Sequence, residues 1–101
     1  MRVQLLYFDD CPNYEATITL LREVLSTDGS SQEIELVNVD TPEAAERWQF
    51  RGSPTILIDG QDPFLDMDAP VGLSCRIYLT PDGLAGSPTL AELRSAIEGL
   101  T

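Results

Sequence analysis

Residues 8–14 read Phe8-Asp9-Asp10-Cys11-Pro12-Asn13-Tyr14 and join a predicted strand to a predicted helix. The strand is the apolar run from Val3 to Phe8, which is typical of a buried β-strand. Pro12 suits the first turn of a helix. Apolar residues then recur at the spacing of one helical face, at Tyr14, Ile18, Leu21 and Leu25. The stretch therefore predicts a strand–turn–helix unit with a cysteine at its junction.

The rest of the chain predicts further strands and helices in alternation. Strand-like runs cover residues 34–39, 55–58 and 75–79. Helix starts are indicated by Thr41-Pro42-Glu43 and by the capping box Thr89-Leu90-Ala91-Glu92. Asp59-Gly60 is a hairpin-turn signal. The order β-α-β-α-β-(β)-α predicts a single three-layer α/β domain over residues 1–101.

Charge and composition exclude several classes of function. Seventeen acidic residues face six arginines, with no lysine or histidine, for a net charge of −11. This field repels phosphates, so neither nucleic acids nor membranes are expected as partners. Without histidine there is no Ser-His-Asp triad, no Cys-His pair and no histidine metal site. The N-terminal run lacks the long apolar region of a secretory signal, so we expect a cytoplasmic protein with free cysteines.

Cys11 is the strongest candidate for chemistry. A thiol at the start of a helix faces backbone N–H groups and the positive end of the helix dipole, and both favour the reactive thiolate. Asp9 and Asp10 act in the opposite direction, because nearby negative charge raises the pKa of a thiol. The alternative is a small half-buried residue at a helix cap, without chemistry.

Ser53-Pro54-Thr55 provides a second signal, directly before a predicted strand. A residue that precedes proline is driven to extended geometry, and an X-Pro bond can be cis. The alternative is an ordinary trans proline at the start of a strand.

A Cys-Pro-x-x at the first strand–helix junction, followed about forty residues later by Ser-Pro-Thr, resembles the thioredoxin-like family, from Val3 to Leu100. The resemblance implies a three-layer α/β/α fold with strand order 2-1-3-4. It also implies Cys11 as nucleophile, with Pro54 as a cis-proline beside it. The Ser53 backbone would be available to an extended thiol substrate, in a groove that also includes Thr55, Pro12 and Tyr14. No cofactor is implied.

One position departs from the family pattern. The usual second motif cysteine is here Tyr14, so residues 11–14 cannot close a local disulfide. The leading hypothesis is single-cysteine thiol–disulfide exchange, in which a mixed disulfide is resolved by glutathione or another thiol. The partner would be a thiol or disulfide, either a small molecule or a protein. The rival hypothesis is a binding module that kept the fold and lost redox cycling.

Cys75 has two competing placements. If residues 60–73 simply join two long hairpin strands, Cys75 starts its strand far from Cys11, beyond the reach of a disulfide. If Asp59-Gly60 is a tight turn, residues 65–74 form an excursion near Pro54 and Cys75 approaches Cys11. Asp-Gly is a good two-residue turn, which favours the second placement. A buried strand residue without chemistry is the remaining interpretation of Cys75.

Three further patterns have both functional and structural interpretations. Cys11, Cys75 and Asp9 or Asp10 could hold a soft metal such as mercury or copper(I), and parts of the chain bear a weaker resemblance to short proteins grouped with alkylmercury lyases. Arg47 and Arg51 could meet the carboxylates of a glutathione-like ligand, or pair with nearby glutamates. The acids at positions 59, 62, 66 and 68 lack calcium-loop spacing and predict a solvated loop.

Overall fold

The computed structural model describes residues 2–11, 13–27, 34–65 and 69–100. Its elements are β1 (Val3–Tyr7), α1 (Tyr14–Thr27), β2 (Ile34–Asn38), α2 (Pro42–Trp48), β3 (Thr55–Ile58), β4 (Tyr78–Thr80), β5 (Gly83–Ala85) and α3 (Leu90–Leu100). The mixed α/β class is confirmed. Pro12, residues 28–33 and the acids at 66 and 68 lie outside the described residues. No helix within the described ranges is both long and apolar enough to cross a bilayer.

The central sheet has three strands in the order β2-β1-β3. β1 runs parallel to β2, with Leu5 opposite Leu36, and antiparallel to β3, with Leu5 opposite Ile56. Residues of β1 alternate between two clusters of buried side chains, because successive residues of a strand point to opposite faces. Val3 and Leu5 join the cluster formed with α1 and α3, whereas Leu6 joins the cluster formed with Ala45 of α2 and Phe50.

The fourth strand differs from the expected order 2-1-3-4. β4 does not extend the central sheet; it pairs with β5 in a separate antiparallel hairpin. The reason lies in the Asp59-Gly60 turn, where both residues have positive φ and the returning chain pairs with β3 only at Gln61. The predicted strand over 75–79 is accordingly reduced to an isolated bridge at Cys75 and the short β4.

Local start signals for α2 and α3 are confirmed. Thr41 caps α2 by accepting the Ala44 N–H at 3.1 Å. At the start of α3, the Thr89 N–H donates to Glu92 at 3.0 Å and the Glu92 N–H donates to Thr89 at 3.1 Å, which is the reciprocal pattern of a capping box. The apolar face of α1 packs against α3 in the core, where Leu21 and Leu93 are fully buried.

Candidate functional site at Cys11 and Cys75

Cys11 lies at the carboxyl end of β1, just before α1. Its backbone N–H donates to the Phe8 carbonyl at 3.0 Å and closes the turn that leaves the strand. Its side chain is only 1% exposed, and its Sγ donates to the Ser53 carbonyl oxygen at 3.4 Å. A carbonyl acceptor is therefore the observed hydrogen-bond partner of this thiol.

The segment before β3 faces Cys11 and carries a cis Ser53–Pro54 peptide bond. Ser53, Pro54 and Thr55 are all buried. The Ser53 N–H donates to the Ser74 carbonyl at 2.8 Å, and the Ser53 carbonyl accepts the Arg76 N–H at 2.9 Å. Both backbone groups are thus used within the chain. The expectation of a Ser53 backbone open to an extended substrate is wrong, because residues 74–76 occupy that position.

This arrangement brings Cys75 to Cys11. Cys75 forms an isolated parallel bridge with Ser53, the residue whose carbonyl the Cys11 thiol contacts. Burial of the Cys75 sulfur raises its pKa, and the charge of Cys11 and a hydrogen bond with the Cys11 thiol raise it further. The second placement of Cys75 is therefore the observed one. Both cysteines thus lie beside Ser53, although Cys75 is exposed to solvent and Cys11 is buried.

A buried ion pair holds the Cys75 segment in place. Arg76 is 6% exposed, and its Nη1 lies 2.5 Å from Asp62 Oδ2. The guanidinium also donates to the Phe64 carbonyl and lies 4.8 Å from the centre of the Tyr78 ring. The expectation that Asp62 belongs to a solvated loop is wrong, because the carboxylate is turned inward to neutralise Arg76.

Close backbone contact completes the attachment of this segment. Gly52 has φ +124°, and a Cβ built on it would lie 2.9 Å from both the N and the Cα of Arg76. Only glycine allows this approach without displacement of the neighbouring chain. Two residues further on, the Tyr78 hydroxyl donates to the Pro54 carbonyl at 2.5 Å. Burial is the main cause that raises the pKa of Tyr78, so this hydroxyl remains protonated.

Two clefts lie beside the exposed thiol. One, of about 220 Å³, is lined by Cys75 together with Arg51, whose guanidinium donates to the Ala69 carbonyl. The other, of about 250 Å³, is lined by Cys75 with Asn13, Ile77 and Leu84 among others. Tyr14, expected in a substrate groove, stacks on Tyr7 with ring centres 4.5 Å apart. Pro12, expected in the same groove, lies outside the described residues.

The acidic residues next to Cys11 do not join the sulfur pair. Asp9 and Asp10 are exposed, and Asp9 accepts a hydrogen bond from the Asn38 side chain at 3.2 Å. Over the described ranges, no group of three or more histidine, cysteine, aspartate or glutamate side chains is placed to hold a metal ion. The expected soft-metal site of two cysteines and an aspartate is thus reduced, in this part of the chain, to the two sulfurs.

Sequence reasoning missed Arg76 and Tyr78. Both alternate with exposed residues along 75–80, but the pattern alone gives no sign that the polar members face inward. The nearest available signal was Arg76 inside the strand-like run 75–79, together with Asp62 directly before Pro63.

Searches against family models, curated proteins and solved structures found no match to this chain.

Proposed function

We propose that the protein catalyses thiol–disulfide exchange with Cys75 and Cys11 acting as a pair. The observation that carries the proposal is that both cysteines lie against Ser53, where Cys75 faces solvent and Cys11 is buried. This differs from the single-cysteine hypothesis, in which Cys11 attacks alone. A sulfur that is 1% exposed is closed to an external disulfide, whereas its exposed neighbour is open to one.

The exchange takes two steps. The Cys75 thiolate attacks one sulfur of a substrate disulfide, so a bond forms between Cys75 and that sulfur while the other sulfur leaves as a thiolate and takes a proton. The Cys11 thiolate then attacks the Cys75 sulfur and releases the second substrate thiol. The substrate gains two electrons and two protons, and the protein is left with a Cys11–Cys75 disulfide. Two molecules of a thiol such as glutathione return the pair to the reduced form: the first attacks the Cys75 sulfur and releases Cys11, and the second attacks the bound glutathione sulfur, releases Cys75 and leaves as oxidised glutathione.

The raised pKa of Cys75 sets the pH dependence of the first step. The thiolate is the attacking form, and its fraction at neutral pH falls as the pKa of Cys75 rises. Attack by Cys75 is therefore slow at pH 7. Its rate should still be rising with pH at the ordinary cysteine pKa of about 8.5. The same raised pKa means that Cys75 leaves poorly from a mixed disulfide, which directs the resolving attack to the Cys75 sulfur and the departure to the substrate sulfur.

We also propose a thioredoxin-like relationship for the fold. It is supported by the parallel β1–α1–β2 unit, by the antiparallel β3, and by the cis Ser53–Pro54 bond opposite Cys11. In this proposal the residues of the usual substrate position are replaced by the chain's own residues 74–76. The second sulfur thus comes from a distant segment of the sequence and not from the first turn of α1.

The test follows the fate of a labelled peptide disulfide. The wild type should reduce it and consume two protein thiols per disulfide. Cys11→Ser should stop at a mixed disulfide on Cys75, detected by mass spectrometry, and Cys75→Ser should be inactive. The double variant Cys75→Ser/Ser26→Cys serves as the matched control: Ser26 is exposed on α1, and a new thiol there should not restore the reduction that Cys75→Ser loses. If Cys75→Ser keeps the wild-type rate, the pair mechanism is wrong.

A second use of the same pair is the capture of a thiophilic metal ion. Two adjacent thiols without a third ligand in the described part of the chain suit an ion that accepts two sulfur ligands, such as copper(I) or mercury(II), better than zinc, which prefers four. Titration of the reduced protein with copper(I) against a chelating competitor tests it. One ion retained per chain, lost in either cysteine-to-serine variant, is expected; equal retention by the variants would exclude this use.

A further inference from the structure

The segment that carries Cys75 buries polar side chains and exposes apolar ones. Arg76, Tyr78 and Thr80 are buried, and the residues that alternate with them face solvent. Ile77 is 67% exposed and Leu79 is 78% exposed, so these two apolar side chains face solvent. A half-buried strand normally shows the opposite arrangement, with apolar residues inward and polar residues outward.

The hairpin partner strand enlarges this apolar surface. Leu79 of β4 pairs directly with Leu84 of β5, which is 74% exposed. Ile77 and Leu84 also line the cleft that contains Cys75. We call Cys75, Ile77, Leu79 and Leu84 the outer stripe. It is a continuous apolar surface with a thiol at one end, and contiguous apolar surface of this kind marks interaction sites.

The outer stripe is apolar, whereas acidic residues lie at both of its ends. Two arginines lie beside it: Arg76 is turned inward and neutralised by Asp62, and Arg51, which lines a cleft with Cys75, donates to the Ala69 carbonyl. Asp82 is exposed in the turn between β4 and β5, at one end. Beyond the other end, Leu73 lines a cleft of about 410 Å³ with Asp9, Asp10 and Asp40. An apolar centre thus lies between acidic ends, on a chain of net charge −11.

We infer that the outer stripe docks an extended polypeptide with apolar side chains at alternate positions and lysine or arginine at its ends. Alternate side chains of an extended chain are about 7 Å apart, which matches the spacing of Ile77 and Leu79. Basic ends complement the acidic residues at both ends of the stripe. The inference rests on the proposed function in one respect, since it names the class of substrate whose disulfide would reach Cys75.

The same charges disfavour other occupants. A second copy of this chain would bring another net charge of −11 against the first, and an anionic lipid surface would be repelled. Oxidised glutathione, a small anionic disulfide, would gain nothing from the acidic ends and would leave the leucines of the hairpin uncovered.

The experiment measures docking without any thiol chemistry. The probe is a short fluorescent peptide with isoleucine at alternate positions, serine at the centre and lysine at both ends; its counterpart has glutamate in place of lysine. Binding is followed by fluorescence anisotropy with the reduced wild type, with the double variant Ile77→Thr/Leu79→Thr, and with Leu36→Thr. Leu36 is also exposed, but it lies on β2 and outside the outer stripe, so its variant is the matched control.

The lysine-ended peptide should bind the wild type and Leu36→Thr alike, and the double variant at least about tenfold more weakly, because several buried methyl groups are lost. The glutamate-ended peptide should bind about tenfold more weakly, and added salt should reduce this difference. Equal binding by the double variant or by the glutamate-ended peptide overturns the inference. So does a dimer in sedimentation that the double variant abolishes, since the occupant would then be a second copy. Because the peptide has no cysteine, failure of the redox proposal leaves this result unaffected.

Discussion

Replacement of Asp62 by asparagine should remove the counter-charge of a guanidinium that the fold buries. Arg76 is 6% exposed, and its Nη1 and Nη2 lie 2.5 Å and 3.3 Å from the two carboxylate oxygens of Asp62. Asparagine keeps the shape of the side chain but replaces one acceptor oxygen with an N–H donor that faces another donor. Removal of one partner of a buried ion pair costs about 3–5 kcal/mol, because the remaining charge is left uncompensated.

Other contacts of Arg76 set the expected loss within that range. The Phe64 carbonyl still accepts from the guanidinium, and the Tyr78 ring still lies 4.8 Å from it. Each of these offsets part of the lost charge interaction, so we expect Asp62→Asn to lower the free energy of unfolding by about 3 kcal/mol. For a domain of this size the corresponding loss in Tm exceeds about 10 °C.

Urea unfolding of Asp62→Asn beside Asp82→Asn provides the assay. Asp82 is exposed in the β4–β5 turn, so its replacement makes the same change in net charge without touching a buried group. The control should stay within about 0.5 kcal/mol of the wild type. The double variant Asp62→Leu/Arg76→Met should recover much of the loss, since it removes both charges. If Asp62→Asn loses less than about 1 kcal/mol and so behaves like the control, the buried ion pair is not supported, and the solvated-loop interpretation of Asp62 is restored.

Three further predictions concern the attachment and the chemistry of the Cys75 segment. Gly52→Ala should push the segment outward, because the new Cβ would lie 2.9 Å from the Arg76 backbone; alkylation should modify Cys11 faster than in the wild type, and unchanged protection would contradict the contact. Burial raises the pKa of Cys75, and the charge and hydrogen bond of Cys11 raise it further, so Cys11→Ser should lower it toward its ordinary value. The alkylation rate against pH measures this pKa, and an unshifted profile would contradict an influence of Cys11 on Cys75. Tyr78→Phe should cost about 1–2 kcal/mol in urea unfolding by leaving the cis proline's carbonyl without its donor, and a neutral effect would place that carbonyl in contact with water.

Helix ends and a turn along the chain could be predicted because their signals are local. The Thr41 cap, the Thr89–Glu92 capping box and the Asp59-Gly60 turn each depend on a few neighbouring residues, and each is present in the structure. Cys11 was recognisable for the same reason, since it lies at a strand–helix junction.

The part of the chain around Asp62 and Arg76 depends on contacts that no local pattern encodes. These two residues form a buried charge pair, and neither carries a sequence signal of burial. Residues with the polarity of Ile77 and Leu79 would be assigned to the core, yet they face solvent because Arg76 and its neighbours take the inward positions. The exposure of Cys75 follows from this alternation, since residue 75 takes an outward position next to the inward Arg76.

Oxidation of the reduced protein by an excess of diamide, which takes up the two hydrogens as its hydrazine, followed by peptide mapping in the mass spectrometer, tests the pairing of the two sulfurs most directly. We expect a monomer that has lost two hydrogens and both titratable thiols, with the peptide containing residue 11 joined to the peptide containing residue 75. Two thiols that stay titratable, or cross-links that form only between chains, would contradict the pairing and the proposed exchange with it.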